Sequence, residues 1–124
     1  MGSDSERNSA TGVVTGDASD VLYIDVGFVP NIVKLYNSDG LNVLAWNSAM
    51  AVEGTGDPDT GVGVLQITAG TMTFITINGI LAVDGVGENN DTGSGVADDV
   101  IGFSIGTNAD VNADGELIYW EAIR

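Results

Sequence analysis

Runs in which apolar and polar residues strictly alternate constrain this chain more than any other feature. From Val21, the residues Leu22, Ile24, Val26 and Phe28 fall on one side, and Tyr23, Asp25 and Gly27 on the other. A period of two lays one face of an extended strand against a core and leaves the other in water. After Pro30, the stretch Asn31 to Asn37 (NIVKLYN) resumes a β-rich run, and Ser38-Asp39-Gly40 signals a turn into Leu41 to Trp46. Val64 to Thr68 alternates again, and Thr71 to Ile77 (TMTFITI) is rich in β-branched and aromatic residues. Asn78-Gly79, between that run and Ile80 to Val83, predicts a tight hairpin. Val100 to Ile105, with Ile101, Phe103 and Ile105 on one face, and Glu116 to Arg124 complete the set. No helical period lasts longer than a turn or two. About eight strands at this spacing predict an all-β chain, a single β-sandwich or jelly-roll-like domain.

The 124 residues suit one such domain, and a hydrophobic fraction of 44% supplies a core despite a net charge of −15. The domain is expected to span 21–124. Residues 1–20 are mostly Ser, Thr, Gly, Asn and Asp, with a short apolar patch at Val13-Val14. That composition predicts an arm, flexible or bound to a partner, whose contact residues would be Ser9, Ala10, Thr11, Gly12, Val13, Val14 and Thr15. Two long Gly- and Asp-rich segments, Glu53 to Gly63 and Asp84 to Asp99, read as loops between strands.

Charge and missing residue types remove whole classes of function. Eighteen Asp and Glu stand against three Lys and Arg, namely Arg7, Lys34 and Arg124. So few cations cannot neutralise a run of phosphates, so neither nucleic acid nor an anionic membrane is expected as a partner. With no Cys and no His, thiolate and imidazole metal sites, Cys nucleophiles and the usual general base are absent together. The chain is expected not to be an enzyme. No stretch approaches the roughly 20 apolar residues of a membrane helix, and the polar start of the sequence has no signal-peptide pattern, so a soluble protein without its own secretion route is expected.

Asp110-Val111-Asn112-Ala113-Asp114-Gly115, with Glu121 further on, matches the spacing of an EF-hand calcium loop. No amphipathic helix flanks it, and Glu121 lies inside an apparent strand. Two alternatives stand: a calcium site built from some of Asp110, Asn112 and Asp114, or an Asx-rich connection that needs no cofactor. Asp57-Asp59 and Asp98-Asp99 are carboxylate pairs by count, but they sit in polar loops where nothing would raise a carboxyl pKa. Trp46, Trp120, Tyr36 and Tyr119 are candidates for a sugar-stacking platform, although aromatics on alternating strands more often anchor a core or an interface.

The segment Asp25 to Asn37, carrying D-V-G-F-x-P and then V-K, is followed by Trp46 and by the closing stretch Gly102 to Ala122, with G-F-x-I-G-T-N-x-D-V-N and Y-W-E-A. In these short motifs the chain resembles small virion structural proteins of tailed bacteriophages, of the capsid decoration (cement) type, with related modules in fibre proteins. The resemblance covers most of the chain from Val21 and brings no catalytic residues. It implies Phe28, Trp46, Phe103 and Trp120 as framework positions of a β-sandwich. It also implies a protein made in the host cytoplasm that binds the major capsid protein on the outer capsid surface and stabilises contacts between capsid subunits. The form expected there is a homo-oligomer, in particular a trimer. The alternative is a head- or tail-fibre module that binds a receptor or glycan.

Overall fold

The computed structural model describes residues 8–50, 61–68, 70–84 and 100–124. It is all-β, with eight strands among the described residues: β1 (Ser9–Thr15), β2 (Leu22–Asp25), β3 (Ile32–Asn37), β4 (Asn42–Asn47), β5 (Val62–Gln66), β6 (Met72–Asp84), β7 (Ile101–Ile105) and β8 (Leu117–Ile123). They form one antiparallel sheet in the order β1-β8-β3-β4-β5-β6-β7-β2. Consecutive strands β1 and β2 are therefore its two edges. The short connection between them, Gly16 to Val21, spans at most roughly 25 Å, so the sheet has to curl until its edges come within that reach. The inner surfaces then oppose each other across one core, as the two layers of a sandwich do.

Alternation fills that core. On β3 the odd positions Val33, Leu35 and Asn37 are buried while Ile32, Lys34 and Tyr36 face out, and on β4 Asn42, Leu44 and Trp46 are buried. A cross-strand row on the inner face runs Gly12–Trp120–Leu35–Leu44–Leu65. Opposite it, Phe103 of β7 meets the Trp120 ring edge-on at 5.6 Å between centroids, which ties distant parts of the sheet together through the interior. Val26 and Phe28, just beyond β2, complete the inner layer, so the side predicted for the first alternating run is the buried one. Each such large apolar side chain taken fully out of water stabilises the fold by about 1.5–3 kcal/mol.

Two local expectations are corrected. Asn78-Gly79 makes no hairpin: β6 runs straight through it. Between Val62↔Ile80 and Gly63↔Ile75 the register jumps, so residues 76–79 loop out of the ladder while the strand continues. β6 pairs with β5 over its first half and with β7 over its second. The Asn-Gly pair thus serves a bulge, with Asn78 left-handed at φ 60. There the backbone of Gly79 donates to the Gly61 carbonyl at 3.1 Å and Gly106 donates to the Gly79 carbonyl at 2.8 Å. A Cβ on Gly106 would lie 2.4 Å from the Asn78 carbonyl carbon, so three chain segments can meet here only without side chains.

The second correction concerns the arm. Ser9–Thr15 is an edge strand of the domain itself, paired along its whole length with β8 from Ser9↔Ile123 to Thr15↔Leu117. Its inward positions, Ala10, Gly12 and Val14, are partly buried against the core. Gly12 is small because the Trp120 indole occupies the space beneath it: a Cβ there would come within 2.5 Å of that ring. Composition missed the strand because small inward residues do not look like a core pattern. Residues 1–7 lie outside the described residues.

Candidate functional site

The outer face of the sheet has an unusual charge distribution for a chain with eighteen acidic residues. One outward row runs Val13–Tyr119–Tyr36–Val43–Gln66–Met72, and the next runs Thr11–Glu121–Lys34–Ala45–Val64–Phe74. Lys34 and Glu121, directly opposite each other across β3 and β8, are the only ionisable side chains other than the tyrosines in these two rows. Opposite charges at such positions offset each other locally. The apolar members stand in water: Val13 is 52% exposed, Tyr119 47%, Tyr36 39%, Phe74 52% and Met72 64%.

Over β1, β8 and β3 this face forms an open depression of about 540 Å³, bounded by Thr11, Gly12, Val13, Tyr36, Tyr119, Trp120 and Glu121. The four aromatics considered for a sugar platform are therefore divided. Tyr36 and Tyr119 are cross-strand neighbours with exposed rings, Trp46 is buried in the core, and Trp120 packs against Phe103. Period-two alternation separates them: on β8, Tyr119 and Trp120 are adjacent and so point to opposite faces. Asp57, Asp59, Asp98 and Asp99 lie outside the described residues.

Of the candidate calcium ligands, Asn112 has a structural job. Asn112 is fully buried, its amide oxygen accepting from the Asp17 backbone at 2.6 Å and its amide nitrogen donating to the carbonyls of Asp20 and Gly106, both at 3.0 Å. Those bonds use the carboxamide to fasten the β1–β2 connection to the β7–β8 connection. Asp110 and Asp114 are exposed, and the Asp110 amide donates to the Asn108 side chain at 2.9 Å in an Asx turn. Glu121 lies four residues beyond Leu117, roughly 13 Å along β8, on the outer face. Among the described residues no group of three or more His, Cys, Asp and Glu is placed to hold a metal ion.

Two further asparagines hold the same connection, and sequence reasoning singled out neither. The Asn37 amide donates to the Val111 carbonyl and to Glu116 Oε1, both at 2.9 Å, while Asn42 donates to the Asp110 carbonyl at 2.7 Å. Asn37 and Asn42 occupy core-facing positions on β3 and β4, and a polar residue in phase with a buried row was the available signal. Together the three amides seat Val111, which is fully buried, over the end of the core.

Set against protein-family models, curated proteins and solved structures, the chain matches none. No helix among the described residues is long and apolar enough to cross a membrane.

Proposed function

We propose that this chain is a structural protein of a tailed-phage particle, a capsid decoration protein that docks on the outer surface of the shell and adds buried area across capsid-subunit boundaries. The observation that carries it is the outer face itself. A chain of net charge −15 leaves a broad stretch of sheet with one acid and one base, and fills it with exposed Tyr, Val, Phe and Met. Contiguous exposed apolar surface of this kind marks protein–protein contact, and aromatic residues are the usual anchors. The absence of Cys and His and the phage-like motifs from Asp25 to Ala122 support the same role. Acidity elsewhere keeps free copies soluble and apart before assembly.

The purified chain is expected to co-sediment with expanded shells that lack it. The double variant Tyr36→Ala/Tyr119→Ala, which alters no buried side chain, is expected to bind at least about tenfold more weakly. Failure of the wild type to bind such shells overturns the proposal. A fibre module is the second function to consider, since two exposed tyrosines beside Glu121 in an open depression could stack on a sugar ring. Saturable glycan binding without shell binding would assign the face to that role.

A further inference from the structure

The edge of β1 that faces away from β8 is a second candidate contact, independent of the capsid role. Gly16 donates to the Glu116 carbonyl at 2.7 Å and Arg124 donates to the Asn8 carbonyl at 2.8 Å. The even-numbered residues are therefore the ones that exchange hydrogen bonds with β8. Ser9, Thr11, Val13 and Thr15 consequently direct their N–H and C=O groups away from β8, toward the sheet's edge, and among the described residues no strand pairs with them. All four are exposed.

Sheet edges of this length are ordinarily protected by charge, proline, a bulge or brevity, because an unpaired ladder templates another strand. β1 has none of these. Its sequence, SATGVVT, is uncharged and free of proline, and its register is unbroken over seven residues. No acidic residue lies between Glu6 and Asp17, so a second copy can approach here without opposing its own charge.

We propose that a second copy of this chain adds to that edge, β1 antiparallel to β1, on a twofold axis through Gly12. The hydrogen-bonding parity selects this register. Pairing Thr11 with the second copy's Val13, and Ser9 with its Thr15, uses every unpaired residue of both strands and yields about eight ladder hydrogen bonds. A dyad one residue to either side, at Thr11 or Val13, leaves one end of each strand unmatched. At the axis, Gly12 faces Gly12 in a non-hydrogen-bonded pair, the closest type of approach, where side chains would crowd. On the outer face Val13 comes to lie beside Thr11 of the other copy, so the Tyr36–Tyr119 row of each copy continues into the Glu121–Lys34 row of the other. On the inner face Ala10 of each copy meets Val14 of the other, covering apolar surface that is only half buried in the single chain. The assembly is a closed dimer, in place of the trimer expected from the sequence.

Sedimentation velocity over a wide concentration range, paired with amide exchange, tests this. Dimer formation is expected together with slowed exchange at Thr11 and Val13. Val13→Pro deletes an N–H that β8 does not use, and Thr11→Lys charges the edge. Each is expected to weaken self-association by at least about tenfold while leaving the melting temperature of the monomer nearly unchanged. Because the chain has no Cys, register can be read directly. An equimolar mixture of Thr11→Cys and Val13→Cys chains is expected to form disulfide-linked pairs that neither forms alone, the paired Cα atoms lying about 5.5 Å apart. A chain that stays monomeric at every concentration overturns the proposal, as does a dimer indifferent to both edge variants. Efficient cross-linking of Thr11→Cys alone overturns the axis at Gly12, and protection of Thr11 and Val13 that arises only on shells assigns the edge to a capsid strand instead.

Discussion

The two edges of the sheet are built to different rules. β2 is four residues long, ends on Asp25, and is followed by Gly27 at φ 85 and by Pro30. The Asp25 carboxylate turns back on the chain, accepting from the Gly27 amide at 3.3 Å and from the Ile101 amide at 3.4 Å. Brevity, charge and a sharp change of direction all discourage a further strand from adding there. β1 is nearly twice as long, uncharged and unbroken in register, and among its outward side chains Val13 continues the apolar outer face beside the hydroxyls of Ser9, Thr11 and Thr15. One sheet thus carries one protected edge and one that no strand pairs among the described residues, a difference that composition does not reveal.

The largest effect is expected at the residue both edges share. Asn112 holds Asp17, just after β1, and Asp20, just before β2. Asn112→Ala removes three hydrogen bonds, one of them to the buried Gly106 carbonyl, at a cost of about 3 kcal/mol and a fall in melting temperature of roughly 10 °C. Amide exchange should rise at both edges together. Loss of protection at one edge alone would show that they are not tied through this side chain. Gly12→Val acts on β1 only, forcing a side chain into the Trp120 ring, and is expected to cost about 2 kcal/mol. Its signature is a changed Trp fluorescence with faster exchange along β1 and β8 and unaltered β2 amides. Asp25→Ala should be mildest, at about 0.5 kcal/mol in chemical denaturation, since both of its hydrogen bonds are long and exposed.

Much of the fold was legible because alternation speaks directly about faces. β3, β4, β7 and β8 fall where the apolar period places them, and Phe28, Trp46 and Phe103 are buried while Trp120 packs on Phe103. What escaped depends on partners distant in sequence. Gly12 is small because of Trp120, and nothing near Gly12 in the chain says so. Asn112 fits a ligand spacing, yet its partner Asp17 lies 95 residues away, a separation at which local pattern carries no signal. Asn78-Gly79 has the chemistry of a hairpin, but β5 and β7 take successive halves of β6 and convert the turn into a bulge. The same holds for the β3–β4 turn, where Leu41, rather than the neighbouring glycine, takes the left-handed conformation at φ 59. The exposed tyrosine pair was legible as two aromatics; that they face outward side by side required the register of β3 against β8.

The pairing of β1 with β8 also sets a timetable. The first strand of the domain to leave the ribosome docks on the last, and synthesis at roughly 5–20 residues per second keeps them apart for about 5–20 seconds. Throughout that interval β1 has two unpaired edges rather than one, on every nascent copy being translated nearby. Crowded expression is therefore the condition under which strands from different chains meet first.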